Sequence, residues 1–149
     1  MIILSIAALT IAFLDQTCKY FVRRCIPNNI FYNTCLEFLT FGHVENYGAA
    51  FGSFSGMRWC LVAVSLFATI AIIWAAISKK IDNRRFLISF SLILGGTLSN
   101  LFDRIVYGSV TDYIKVSFFY PVCNLGDYCI SVGVFALLIL ILKGEKIKN

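Results

Sequence analysis

Four long apolar runs organise the chain. The first, Met1 to Leu14, would cover only about 21 Å at a helical rise of ~1.5 Å per residue, short of a hydrocarbon core roughly 30 Å thick. A helix there is expected to continue through Asp15 and Gln16 toward Cys25, until Pro27-Asn28-Asn29 ends it. Asp15 then lies inside or just beneath one membrane face. Met57 to Ser78 makes a second run of full bilayer length, with Trp59 and Trp74 near its ends as interface anchors. Phe86 to Phe102 is a third, shorter run carrying Gly95-Gly96 and then Asn100, and Gly126 to Leu142 is the fourth, with Asp127 in its first turn. The predicted fold class is an all-α membrane protein: four transmembrane helices over about residues 3–25, 57–78, 86–102 and 126–142, in one integral membrane domain covering 1–149. Segment 31–55 is expected to add a small extracytoplasmic β-element.

Composition supports the membrane and removes the alternatives. Hydrophobic residues are 59% and charged residues 14% of the chain, with a mean hydropathy of +0.81. Soluble domains sit nearer half apolar and a quarter charged, so a water-soluble globule, a disordered chain and a basic nucleic-acid binder are all excluded. The net charge of +5 is topology information instead. No Lys or Arg precedes the first run, so it lacks the positive region of a cleavable leader and is expected to be a retained span. Lys79, Lys80, Arg84 and Arg85 cluster in one loop, and Lys143, Lys146 and Lys148 follow the fourth run. By the positive-inside rule both segments are cytoplasmic, as are both termini. Arg23, Arg24 and Arg58 fall on the opposite side and run against that bias.

The acids then sort themselves. Of five aspartates, Asp82 belongs to the basic loop, while Asp15, Asp103, Asp112 and Asp127 fall at extracytoplasmic helix ends or in the connection between the last two spans. A carboxylate at membrane depth costs at least ~2.5 kcal/mol on insertion scales, which makes each a candidate for function. Gly96, Asn100 and Asp103 or Arg104 are spaced to share one helix face. Arg104 is expected to be a structural charge partner, fixing the adjacent carboxylate by a bidentate fork. Gly95-Gly96 allows close helix approach. Asn124, three residues before Asp127, suits a helix N-cap, and the small-residue loop Asn46 to Gly52 can bring backbone close to a ligand.

No Ser/His/Asp set can be assembled, because His43 is the only histidine. The six cysteines contain no C-x-x-C, which leaves neither a zinc constellation nor the reactive pair of a thiol oxidoreductase; a disulfide among the outer-side cysteines stays open. A proton-coupled exporter would want its acid near the bilayer midplane. What the chain does hold is paired carboxylate. Two carboxyls close together in low dielectric share a proton, so one can activate water while the other protonates the scissile group. That is aspartyl hydrolysis at a membrane surface.

Asp15-Gln16-Thr17-Cys18-Lys19, Asn46-Tyr47-Gly48-Ala49-Ala50-Phe51, Gly95-Gly96-Thr97-Leu98-Ser99-Asn100-Leu101-Phe102-Asp103-Arg104, Val110-Thr111-Asp112-Tyr113 and Asn124-Leu125-Gly126-Asp127 resemble, in order, the motifs of the lipoprotein signal peptidase (signal peptidase II) family. The resemblance implies a multi-pass aspartyl endopeptidase of the bacterial inner (cytoplasmic) membrane, with its active site on the extracytoplasmic side. Such enzymes remove the signal peptide from diacylglyceryl-modified prolipoproteins. It implies Asp112 and Asp127 as the catalytic pair, expected within direct or one-water contact. Asp15, Lys19, Asn46, Gly48, Asn100, Asp103, Arg104 and Asn124 would bind substrate or shape the site. Membrane lipid and globomycin-type inhibitors are the other implied partners; no nucleic acid, no cofactor and no metal are expected. Cys123 and Gly126 stand where the family usually has an aromatic residue and alanine, and Ser99 where it usually has glycine.

Overall fold

The computed structural model describes residues 2–48, 53–78 and 83–145. In chain order it contains α1 (Ile2–Cys25), β1 (Phe31–Asn33), β2 (Leu39–Asn46), α2 (Arg58–Ser78), α3 (Arg84–Val106), β3 (Val110–Val116), β4 (Phe119–Cys123) and α4 (Leu125–Leu142). Ala49 to Gly52 of the small-residue loop, Lys79, Lys80 and Asp82 of the basic loop, and Lys146 and Lys148 lie outside the described residues.

Three described helices, α2, α3 and α4, are long and apolar enough to cross a membrane. α1 has the length, 24 residues, but carries Asp15, Lys19, Arg23 and Arg24 along its second half. The outer surface is apolar: Phe13, Phe67, Trp59, Trp74 and Leu142 are exposed by 71%, 75%, 69%, 66% and 77%. An apolar surface of that extent marks a membrane-embedded protein.

α3 is the axis of the bundle, packed by α1, α2 and α4. Its buried face changes character halfway. Phe86, Leu87, Phe90 and Leu94 join Leu4, Ala8, Ala76 and Leu140 in an apolar core; beyond Gly96 the buried residues are Thr97, Ser99, Asn100 and Asp103, with Leu101 the one apolar side chain among them. The two glycines sit where this face meets its neighbours most closely. A Cβ on Gly95 would lie 2.7 Å from the Ala8 carbonyl of α1, and one on Gly96 would lie 2.2 Å from the Gly126 carbonyl of α4. Both clashes involve backbone, which cannot yield as a side chain does. Gly96→Ala is therefore expected to cost about 1–3 kcal/mol of overpacking, read as a lower Tm in detergent; an unchanged Tm would show that α3 and α4 can separate freely.

The end of α3 differs from expectation and that of α1 does not. α3 runs past Phe102 to Val106, taking Asp103 and Arg104 into its last turn. The stop comes from Gly108 at φ +84°, whose N–H, like that of Tyr107, donates to the Asp103 carbonyl. α1 ends as expected before Pro27, with Asn29 at φ 63° completing the turn.

The β-element is larger than segment 31–55 alone. β1 and β2 come from that segment, but β3 and β4 come from the α3–α4 connection, and the four form one antiparallel sheet in the order β1-β2-β3-β4. The first four residues of β3 are all buried, so the polar–apolar alternation that reveals a half-exposed strand is absent there.

Candidate active site

The sheet and helix ends assemble two linked polar clusters. β3 divides them by its pleat, because successive side chains point to opposite faces. Asp112 faces Asn46, two residues along from its cross-strand neighbour Val44. Thr111 and Tyr113 face the other way, toward Glu45, Arg23 and Asp15.

In the first cluster Asn124 ties together Asp112 and Asp127, which are 15 residues apart in sequence. Its side-chain Nδ2 donates to Asp112 Oδ1 at 2.7 Å. Its Oδ1 accepts from the Asp127 N–H at 2.9 Å, and its own N–H donates to Asp127 Oδ2 at 3.2 Å, a reciprocal capping box. The remaining carboxylate oxygens are also held: Asn46 Nδ2 donates to Asp112 Oδ2 at 2.9 Å and Asn100 Nδ2 to Asp127 Oδ1 at 2.8 Å. Burial first, and then the charge of Asp127, pushes the Asp112 carboxyl up to about 7, against the hydrogen bonds from Asn46 and Asn124. The same two causes, burial and the nearby Asp127 and Asp112, push the Cys123 thiol up to about 11. Cys123 is therefore a neutral thiol beside the pair and no thiolate nucleophile.

The second cluster is a fully buried ion network. Lys19 Nζ lies 2.8 Å from Asp15 Oδ2 and 3.0 Å from Asp103 Oδ2, with all three side chains at 0% exposure. Lys19 also donates to Asn100 Oδ1 at 2.8 Å. Asn100 thus accepts from the lysine and donates to Asp127, joining the two clusters. Ser99 and Tyr113 donate to Asp15 at 2.6 and 3.0 Å; Gln16 donates to Asp103 at 2.8 Å.

Arg104 does not fork Asp103. Its Nη2 donates to the Gly48 carbonyl at 3.2 Å and its Nη1 to the Asn100 carbonyl at 3.4 Å. Consecutive helical residues point about 100° apart, so Asp103 turns to α1, where Lys19 and Arg23 meet it, while Arg104 holds the loop after β2. Gly48 is fixed from both sides, since its N–H also donates to Asn46 Oδ1 at 3.0 Å. All ten residues singled out from the sequence lie in these two clusters or against them. Gln16, Ser99, Thr111 and Tyr113 were missed as individual contributors, as was Arg23, whose spacing from Asp15 and Lys19 places it on their face of α1.

Glu45 forms an outlying node. Burial opposes its charge, but hydrogen bonds from Ser109, His43 and Thr111 prevail and hold it below the ordinary carboxylate range. His43 spans Glu45 and the Ile26 carbonyl, at 2.8 and 2.7 Å, pinning β2 to the end of α1. The six cysteines are all free. Among the described residues no three His, Cys, Asp or Glu side chains are grouped to hold a metal ion.

Two buried carboxyls are thus tied by one asparagine, every carboxylate oxygen has a donor, and the charge of Asp127 favours the protonated form of Asp112. The signal peptidase (SPase) II family model matches residues 7–143. The chain belongs to the signal peptidase II family. It is 38% identical over 114 residues to the lipoprotein signal peptidase of Clostridium novyi (strain NT), covering 74% of this chain and 77% of that one. It is 36% identical over 133 residues to that of Bartonella tribocorum (strain CIP 105476 / IBS 506), covering 85% and 78%. A solved bacterial membrane enzyme, determined by the in meso method at 2.3 Å resolution, superposes with a TM-score of 0.89 at 27% identity, over 98% of this chain and 93% of that one. Membership makes this a membrane peptidase of the lipoprotein-processing class.

Proposed function

We propose that this chain is an aspartyl endopeptidase that cleaves the signal peptide from diacylglyceryl-modified prolipoproteins, with Asp112 and Asp127 activating a water. The observation that carries the reading is the Asn124 bridge, which holds both carboxyls at the junction of the sheet and the α4 N-terminus. One carboxylate takes a proton from water as it attacks the scissile carbonyl, while the other, protonated, donates to the carbonyl oxygen. As the C–N bond breaks, the first passes the water's proton to the leaving amine and the second takes its own back from the diol. Asn46, Asn100 and Asn124 orient the acids. Asp15, Lys19 and Asp103 brace the helices behind them, and Arg104 and Gly48 set the loop over the site.

α1 is taken as the fourth span, its charges directed inward onto α3 and β3 so that lipid meets only its apolar face. The whole chain then forms one integral domain of the bacterial inner membrane, termini in the cytoplasm and sheet outside. In a background without native cysteines, a membrane-impermeant thiol reagent applied from outside should label a cysteine at Tyr120, 91% exposed in the β4 strand, and miss one at Asn83. The reverse pattern would invert the topology. The substrate's lipid fixes its depth in the bilayer, so discrimination falls to the walls of the site. Globomycin-type peptides would compete there.

The deciding experiment is a gel-shift assay on a diacylglyceryl-modified prolipoprotein with the purified wild type in lipid. Conversion to the shorter form is the expected result. Absence of conversion, with the protein monodisperse and folded, would overturn the reading.

A further inference from the structure

Arg23 and Arg24 stand on the wrong side of the positive-inside rule, and the proposed chemistry uses neither directly. Arg58, the third exception, has a structural use: it donates to the Arg104 and Ile105 carbonyls, both at 2.7 Å, and closes the end of α3. Arg24 has no carboxylate partner among the described residues; it lies over the Tyr20 ring at 5.7 Å.

Arg23 lines a groove of about 590 Å³ between α1 and α3, and so does Tyr20, the ring beneath the Arg24 guanidinium. Its walls change along their length. Leu9, Ala12, Phe13, Leu98 and Phe102 line the apolar part, and Gln16, Tyr20, Arg23 and Tyr107 bring polar tips to the outer end. From Leu9 to Arg23 the groove follows α1 for about 21 Å at ~1.5 Å per residue, more than half of a ~30 Å hydrocarbon core. That is the profile of one leaflet, with room for an acyl chain below and a headgroup above. Arg23 is preset at the mouth by Tyr107, whose ring centroid is 4.2 Å from the guanidinium carbon, and by Nη1, which donates to Thr111 Oγ1 at 2.9 Å and lies 3.4 Å from Asp103 Oδ1. Its Nε and Nη2 have no hydrogen-bond partner among the described residues.

We propose that this groove is a binding site for one anionic phospholipid of the outer leaflet, its acyl chain along Ala12 and Leu98 and its phosphate at Arg23 and Arg24. Arginine suits that phosphate because its planar fork presents parallel N–H donors. The groove is separate from the carboxyl pair, yet it shares Gln16 and, through Ser99, the buried ion network: Gln16 Nε2 reaches Ser99 Oγ at 3.1 Å and Asp103 at 2.8 Å. The inference rests on the membrane placement of α1 proposed above and is independent of the hydrolytic reading.

The test is native mass spectrometry of the protein ejected from nanodiscs of equal phosphatidylglycerol and phosphatidylcholine, with Tm and monodispersity measured in parallel to show that each variant is folded. Wild type should retain phosphatidylglycerol over phosphatidylcholine. Arg24→Gln should lower that preference about fivefold, the effect of one basic residue near an anionic lipid surface. Ala12→Phe, which fills the groove, should lose the retained lipid while the protein stays monodisperse with a wild-type Tm. Equal retention of the two lipids, or retention unchanged in Ala12→Phe, would overturn the proposal. Displacement of the lipid by a diacylglyceryl peptide substrate would overturn it too, by assigning the groove to the substrate's own chains.

Discussion

Replacing Asp127 by Asn is expected to cut prolipoprotein cleavage by about 10²–10⁴-fold, the usual contribution of a positioned acid or base, with the protein still folded. The fold should survive because Asn keeps one oxygen to accept from Asn100 or from the Asn124 N–H, and the bond from the residue-127 backbone N–H to Asn124 is untouched. Asp112→Asn should lose activity similarly, and its stability should carry a distinctive pH signature. The Asp112 carboxyl is raised to about 7 in the folded protein, by burial and by Asp127, whereas an unfolded aspartate titrates near ~3.9. A raised carboxyl contributes stability that is fully present below the unfolded value and is lost as pH rises through the folded one. Wild type should therefore fall behind Asp112→Asn in Tm between about pH 4 and pH 7, and the gap should level off above that. Cleavage should decline on the alkaline side near neutrality, as the pair gives up its shared proton. Asn46→Leu removes a donor that favours ionised Asp112, so it should move that decline to higher pH. A Tm difference independent of pH, or full cleavage by either Asn variant, would dismiss the pair as the catalytic unit.

How far the sequence could carry this is clear from particular residues. The runs that became α2, α3 and α4 were legible because a bilayer demands a length of apolar chain that few other structures need. β3 was hidden because Val110 to Tyr113 is buried throughout, which erases the period-two contrast, and only pairing with β2 declares it a strand. The acids and asparagines stood out as polar groups at the ends of apolar helices, and their motif order resembled a family. The Arg104–Asp103 pairing failed because adjacency in sequence was read as adjacency in space, while the helix turns the two onto different partners. Ser99, Tyr113 and Gln16 carry no charge and were passed over as individuals. Their importance appears only once buried charges must be supplied with donors.

Lys19→Met is expected to be the most damaging single change to the fold. Lys19 is fully buried between Asp15 and Asp103, and removing one partner of a buried ion network costs about 3–5 kcal/mol because it leaves uncompensated charge. Against a total stability of roughly 5–15 kcal/mol, folded yield in detergent should fall sharply. The two acids should not be equally responsible. Asp103 keeps a second cation, with Arg23 Nη1 at 3.4 Å, and it still accepts from Gln16 and from the Thr111 N–H. Asp15 keeps only the hydroxyls of Ser99 and Tyr113, and no other cation among the described residues pairs with it. Neutralising Asp15 in the Lys19→Met background should therefore recover more Tm than neutralising Asp103, when the double variants with Asp15→Asn and Asp103→Asn are compared. The opposite order would mean that Arg23 does not compensate Asp103. A Lys19→Met protein as stable as wild type would mean that the acids are held by hydrogen bonds alone, and the ion network would lose its place as the brace behind the carboxyl pair.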